Sequence, residues 1–261
     1  PARGALALAP RATGPIPGPP SYMTLSSLSA NSRGFVYVAT GTGYLDEARD
    51  SANSLRRHHP KTPICLVTDQ QSPVGSPFDH VVVVSDAEHK PIDKLLAIHC
   101  PFDRAVFLDT DTRVFGDLSP LFAVLEEFDL AALQDVHRGW NYELPGVPAC
   151  FTEFNTGVIG FRRTPAVQEF FRQWRENHEV LARTAGFVND QPAFRQTLYR
   201  SPLRLAPLPS EFHFLGNFPN ALLWKVRLIH ARGDLDQLCF LVANLLANCL
   251  ATGKLSKDIM R

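Results

Sequence analysis

Between residues 34 and 111, four short runs rich in β-branched and aromatic residues alternate with segments of helical or turn character. The runs are GFVYVAT (34–40), PICLVTD (63–69), HVVVV (80–84) and RAVFLDTD (104–111). Strands that alternate with helices need crossover connections, which favours a mainly parallel sheet with helices packed on it. After the first run, Gly41 and Gly43 allow a tight turn, and Ala48, Ala52 and Leu55 then recur at helical spacing until Pro60 stops the helix. HVVVV does not alternate, so it reads as a strand buried on both faces. PIDKLLAIHC (91–100) reads as a short helix. In open sheets of this kind ligands bind beyond the carboxyl ends of the strands, which is where Thr40, Asp69, Asp109 and Asp111 fall.

The alternation continues downstream. LSPLFAVLEEF predicts a helix with Ser119 as its N-cap and Pro120 in the first turn. DLAALQD (129–135) is a strand that ends in Asp135, and NTGVIGFRR (155–163) is another. Between them lies a long irregular stretch, 136–154, with His137, Trp140, Asn141 and Tyr142 as surface or sugar-stacking side chains. TPAVQEFFRQWRENHEVL (164–181) is a helix capped by Thr164, with Val167, Phe170, Phe171 and Trp174 on one face. NDQPAFRQTLYR opens a further helix, and LRLAPLP and VRLIHARGD supply late strands. Residues 1–22, rich in Pro, Gly and Ala, read as a disordered tail or remnant, with Met23 a natural start. The folded domain spans 23–261 and closes on a C-terminal helix, 234–252.

Composition narrows the function classes. The net charge is +0, so nothing global favours nucleic acid or an anionic membrane, and an anionic ligand needs a local site. The five cysteines (65, 100, 150, 239 and 249) form no C-x-x-C pair and are odd in number. They read as thiols in a reducing compartment, which points to the cytoplasm. LCFLVANLLANCLA (238–251) is too short to span a bilayer and reads as a helix packed on the domain, on a second copy or at a membrane surface.

Asp109 and Asp111 carry the chemistry. As residues i and i+2 of a strand they would face the same side, and two close carboxylates repel unless a positive charge sits between them. A divalent cation with oxygen ligands supplies it. The plainer reading is a turn in which the aspartates cap the backbone.

FLDTDTRVFGDLSPLF resembles the D-x-D region of retaining nucleotide-sugar glycosyltransferases, glycosyltransferase family eight above all, in which an aspartate–leucine pair and a proline-started helix follow the motif. The likeness extends over residues 34 to about 234. It implies a single Rossmann-like, GT-A type α/β domain with a mixed, mainly parallel sheet and helices on both faces. By that likeness Ala39, Thr40 and Tyr44 contact the nucleotide, Asp69 lies at the same edge, and Lys94 approaches the diphosphate. FNTGVIGF maps Asn155 toward the sugars, and NDQPAF gives Asp190 on donor hydroxyls with Gln191 beneath the anomeric carbon. Asp135 faces the sugars from its own strand end. LIHARGD resembles the family's H-x-x-G, which makes His230 the third protein ligand of the metal, Mn²⁺ or Mg²⁺, beside Gly233. The lysine–proline–tryptophan that usually follows is replaced by DLDQLC, and Arg232 stands in as the phosphate cation. The implied partners are a nucleoside-diphosphate sugar, UDP by default, and a glycan, protein or small-molecule acceptor.

Other readings stay open on the residues alone. FLDTDTRV also looks like the first motif of haloacid dehalogenase-type phosphatases, with Asp109 as nucleophile, although Arg113 stands where that motif has Thr or Val. A nucleotidyltransferase would need an early basic, Gly-rich loop that TGTGYLDEAR lacks. A non-catalytic sugar-nucleotide-binding protein is the third.

Overall fold

The computed structural model describes residues 32–70, 77–135, 144–186, 189–216, 222 and 224–231. The expected tail, the loop aromatics His137, Trp140 and Tyr142 with Asn141, Arg232, Gly233 and the C-terminal helix lie outside them, as do Cys239 and Cys249.

The main sheet has seven strands among the described residues, in the order β3-β2-β1-β4-β7-β6-β8. They are β1 (Arg33–Val38), β2 (Ile64–Thr68), β3 (His80–Val83), β4 (Arg104–Leu108), β6 (Leu130–Asp135), β7 (Glu153–Arg162) and β8 (Leu205–Leu208). β5 (Thr112–Val114) belongs to a second, three-stranded sheet with β9 (Phe214–Leu215) and β10 (Leu228–His230). In the main sheet β7 alone runs against its neighbours, β4 and β6, and every other pairing is parallel. The carboxyl ends of β1, β2, β4 and β6 and the amino end of β7 therefore share one edge. The chain leaves β1 outward through β2 and β3, then returns to β4 on the other side of β1. That reversal is the crevice where open α/β sheets bind ligands.

Alternation along the strands divides the core between the two faces. Phe35 and Tyr37 of β1 join Ala48, Ala52 and Leu55 of α1 (Tyr44–His58) and Leu121, Phe122 and Leu125 of α2 (Pro120–Glu127). Val36 faces the opposite cluster, with Leu95, Phe107 and Phe161 and with Val167, Phe170, Phe171 and Trp174 of α3 (Pro165–Ala185) and Phe194 of α4 (Gln191–Arg200). Thr164 caps α3 as expected, its hydroxyl accepting from the Val167 N–H. Trp174 Nε1 donates to the Asp190 carbonyl at 3.0 Å and so ties α3 to the start of α4.

Four expectations need correction. Within HVVVV, His80–Val83 form β3, and these four residues are only partly buried, because β3 is an edge strand that pairs with β2 alone among the described residues. PIDKLLAIHC forms a 3₁₀ segment, Pro91–His99, in place of an α-helix. Ser119 precedes α2 but its side chain does not cap it; the hydroxyl donates to Asp117, 2.7 Å away. Strand β4 stops at Leu108, so Asp109–Asp111 is a turn. The two acids converge through that turn, not through strand periodicity. Cys65 and Cys100 are buried free thiols, as read, and Cys150 is exposed.

Candidate active site

The D-x-D turn is anchored from below by a line of hydroxyls. The Asp109 N–H donates to the Gly157 carbonyl at 2.8 Å, and Thr112 Oγ1 donates to the Asp109 carbonyl at 2.8 Å. Thr112 Oγ1 in turn meets Ser51 Oγ of α1 at 2.7 Å, and Ser51 meets the Tyr37 hydroxyl at 3.1 Å. Thr110 bonds Glu47, also on α1. Burial pushes the Tyr37 phenol above its ordinary range, which keeps this line neutral.

The second sheet delivers the histidine. β5 leaves the turn directly and pairs antiparallel with β10, with Thr112 opposite His230. The Ala231 N–H donates to the Asp111 carbonyl at 3.2 Å. His230 Nε2 then lies 3.1 Å from Asp111 Oδ1 and 3.9 Å from Asp109 Oδ2. One ligand atom from each of Asp109, Asp111 and His230 falls within 4.8 Å of the others. Behind the imidazole, His213 Nε2 is 2.9 Å from His230 Nδ1, and the two rings stack with centroids 5.1 Å apart. Burial holds His213 well below the ordinary histidine range, so it stays neutral beside its partner. With Nδ1 engaged, Nε2 of His230 is the atom that faces the acids. That arrangement and donor set, two carboxylates and an imidazole supported from behind, suit a divalent cation such as Mn²⁺.

Lys94 stands on the other side of Asp109. Its Nζ is 3.3 Å from Asp109 Oδ2, 3.3 Å from Asp190 Oδ1 and 3.3 Å from Thr156 Oγ1. Burial works against its charge, but Asp109 and Asp190 outweigh burial and hold the ammonium above its ordinary range. The Asp109 carboxyl is pushed up by burial, against the pull of Lys94 and His230, with Asp111 adding to the rise. Asp190 carries a second oxygen, Oδ2, that is buried without a hydrogen-bond partner among the described residues.

Beyond Lys94, one acid gathers two amides. Asp135 Oδ2 accepts from Asn155 Nδ2 at 3.2 Å and from Gln191 Nε2 at 3.3 Å. Asn155 is placed by β7, and Asp190 and Gln191 by the start of α4. β6 and β7 lose register between Asn155 and Ile159. Such an irregularity re-aims side chains beside functional sites. Here it presents Thr156 to Lys94 and sets Gly157 beneath His230. A Cβ on Gly157 would fall 2.2 Å from His230 Cε1.

At the nucleotide end the placements are looser. Ala39 is buried, and the Thr40 hydroxyl is already given to Asp93 Oδ2 at 2.7 Å, so it braces the 3₁₀ segment that carries Lys94. Asp69 accepts from the Gly41 N–H at 3.0 Å and meets His89 Nε2 at 2.8 Å. Slight burial opposes the charge on Asp69, but these bonds and one from Gln70 hold its carboxyl below the ordinary range. Tyr44 begins α1 and is 43% exposed.

Three residues of the site were not singled out from the sequence. Gly157 drew no role of its own beyond the close backbone approach that a glycine after Asn155 permits, and its contact with His230 shows what approaches it. His213 lies in EFHFL, a short segment with no motif, and its partner is distant in sequence. Glu153 fell in the irregular stretch, yet β7 begins at Glu153 and places it two residues before Asn155, on the same face. That period-two offset was the available signal. Burial pushes the Glu153 carboxyl up to about 7, with Arg195 opposing and Asp135 and Asp190 adding to the rise.

Its titration makes a prediction about folding. An unfolded glutamate releases its proton near pH 4.5, whereas the native Glu153 keeps it to about pH 7. The native state therefore binds the extra proton in this window, and this residue's contribution to stability falls as pH rises through it. Glu153→Gln removes that component. The expected result is a shallower decline of melting temperature between pH 5 and pH 8 in the variant than in the parent. Equal slopes would contradict the assignment.

A cavity of about 440 Å³ lies at the opposite end of β4, lined by Asp103, Arg104, Glu126, Arg162 and Arg163 among others. Arg104 and Glu126 pair there at 2.8 Å, and none of the acids described above takes part.

A mixed sheet with a D-x-D turn at its ligand edge defines a sugar-nucleotide enzyme of the GT-A type, and the comparisons agree. Residues 50–232 match the family described as nucleotide-diphospho-sugar transferase, and the chain belongs to that family. It is a glycosyltransferase of the family-eight-like group. Among solved structures it is similar to the galactosyltransferase LgtC in complex with donor and acceptor sugar analogs, at 16% identity and a TM-score of 0.53, over 77% of this chain and 87% of that one. It is also similar to the glycosyltransferase GlyE of Streptococcus pneumoniae TIGR4, at 18% identity and a TM-score of 0.57, over 78% of this chain and 55% of that one. A third is the WbbM bifunctional glycosyltransferase, at 17% identity and a TM-score of 0.53, over 80% of this chain and 47% of that one. At these identities the structural likeness speaks for the fold. No curated protein sequence matches the chain. Among the described residues no helix is long and apolar enough to cross a membrane.

Proposed function

We propose that this chain moves a sugar from a nucleoside-diphosphate sugar, UDP being the first carrier to test, to an acceptor hydroxyl with retention at the anomeric carbon. Asp109, Asp111 and His230 would hold a divalent cation, Mn²⁺ or Mg²⁺. The observation that carries this reading is the convergence of those three residues within 4.8 Å at the ligand edge of a transferase sheet. When bound, such a cation supplies charge for the departing diphosphate as a Lewis acid.

The chain's own residues do the rest. Lys94, charged and mostly but not fully buried, offers its ammonium to the diphosphate from the side of Asp109. The ammonium is held by Asp109 and Asp190, so donor binding would redistribute these contacts. Asp190 Oδ2, buried without a partner among the described residues, is suited to accept from a donor hydroxyl. Gln191 is a poor nucleophile, and its amide is committed to Asp135. That favours direct attack by the acceptor oxygen over a covalent enzyme intermediate. The acceptor O–C bond forms, the bond from the anomeric carbon to phosphate oxygen breaks, and the acceptor proton passes to the leaving diphosphate. Asp135, fixed by two amides, orients Asn155 and Gln191 around the sugar.

Family membership decides against the phosphatase reading. The experiment is a panel of nucleoside-diphosphate sugars incubated with Mn²⁺ and with EDTA, following nucleoside diphosphate release. Release that needs the metal is the expected result. Nucleotide binding without release from any donor would instead favour a non-catalytic binding protein. Anomeric configuration, read by NMR on the product, tests retention.

A further inference from the structure

We infer that Glu153 and Arg195 form a hydroxyl-binding subsite for a sugar ring, at the end of the site remote from the Asp109–Asp111–His230 cluster. The inference rests on the sugar-transfer reading above and adds two residues that no motif points to.

Position comes first. Glu153 opposes Asp135 across the β6–β7 ladder, and both lie on the face that carries Asn155. Arg195 comes from α4, the helix whose first turn supplies Gln191. The pair thus extends the row that runs from the metal-ligand cluster through Lys94 and Asp190 to Asp135.

The second argument is an unmet bonding need. The side chains of Glu153 and Arg195 are only 9% and 11% exposed, yet their closest approach, Nη1 to Oε2, is 3.7 Å. A bonded guanidinium–carboxylate pair sits at about 2.7–2.9 Å. Glu153 Oε1 and Arg195 Nε are both buried without hydrogen-bond partners among the described residues. Arg195 is meanwhile tethered by Nη2 to the Pro148 carbonyl at 3.2 Å. Buried polar atoms are nearly always bonded, so an acid and a base held just out of reach of each other call for a third group.

The chemistry of that group follows. An anion would meet Asp135 and Asp190, and a cation would meet Arg195. A neutral hydroxyl can bond the Glu153 carboxyl, protonated or not, and accept from the guanidinium at once. The hydroxyl belongs either to the donor sugar or to an acceptor saccharide, and the same contact serves both.

The test uses Glu153→Gln, which keeps the shape, and Arg195→Gln, which acts from the other element. Free nucleoside diphosphate with Mn²⁺ carries no sugar and serves as the control probe, by calorimetry. Its affinity is expected to stay within twofold in both variants. The Michaelis constant for a nucleoside-diphosphate sugar is expected to rise about tenfold or more if the hydroxyl is the donor's. The same rise in the constant for a saccharide acceptor, with the donor constant little changed, assigns it to the acceptor. Parental constants for both substrates in both folded variants overturn the subsite and leave the transferase reading intact. A parent protein that binds and turns over no sugar nucleotide overturns that reading, and this inference falls with it.

Discussion

Asp111→Ala lowers metal-dependent turnover by about a thousandfold or more and leaves a folded protein. The carboxylate is nearly fully buried, and its Oδ1 is 3.1 Å from His230 Nε2. Removing it takes away one of the three proposed ligand groups, the one closest to the imidazole. The remaining Asp109 is also engaged by Lys94 at 3.3 Å, so a cation left with Asp109 and His230 alone competes with an ammonium for the same carboxylate. Stability should move little, because the substitution also relieves repulsion between two acids one residue apart. The turn keeps its backbone anchors, namely the Asp109 N–H on Gly157 and Thr112 on the Asp109 carbonyl. The measurement is Mn²⁺ affinity by calorimetry, alongside nucleoside diphosphate release and thermal melting. Parental metal affinity in a folded variant would remove Asp111 from the ligand set. Lost turnover with parental metal affinity would place its role on the substrate.

The strands of the doubly wound part were legible because each is a short β-rich run bounded by Gly, Pro or Asp, and their carboxyl ends bore the acids. The reason given for the convergence of Asp109 and Asp111 was not the operative one. A strand was assumed to continue through residue 111, whereas Thr112 bonding back to the Asp109 carbonyl closes a turn. β3 misled because VVVV looks the same whether a strand is flanked on two sides or one. His230 was found through its resemblance to a motif, but what places it there, the β5–β10 ladder, is three residues long and leaves no periodic trace. His213 was invisible for the same reason. A buried histidine between the short 3₁₀ turn Ser210–Phe212 and the two-residue strand β9 has no local pattern, and only the fold shows it stacked on another. Lys94 reads from the sequence as a cation that approaches the diphosphate. The structure buries it among carboxylates, a long-range outcome that helix spacing alone does not report.

Gly157→Ala should damage the site almost as severely as the loss of a ligand, although a methyl group carries no chemistry. The added Cβ would lie 2.2 Å from His230 Cε1 and 2.4 Å from Nδ1, well inside contact distance, so one side must move. The backbone of Gly157 is poorly free to do so. Its carbonyl accepts from Asp109 at 2.8 Å and its N–H donates to Asn155 Oδ1 at 2.9 Å. Any backbone shift would therefore disturb the D-x-D turn and the Asn155–Asp135 contact together. The imidazole is the softer partner, and rotating it away breaks the 2.9 Å bond to His213. The expected outcome is a fall in Mn²⁺ affinity of about 10–100-fold, the range seen when the support of a metal-binding histidine is lost. Overpacking should also cost about 1–3 kcal/mol of stability. A second substitution separates steric from general damage. In a His230→Ala background the ring is gone, so the same added methyl should cost far less stability, while metal affinity stays low. If Gly157→Ala destabilises both backgrounds equally, the clash with His230 is not the cause, and the glycine is there for the strand irregularity itself.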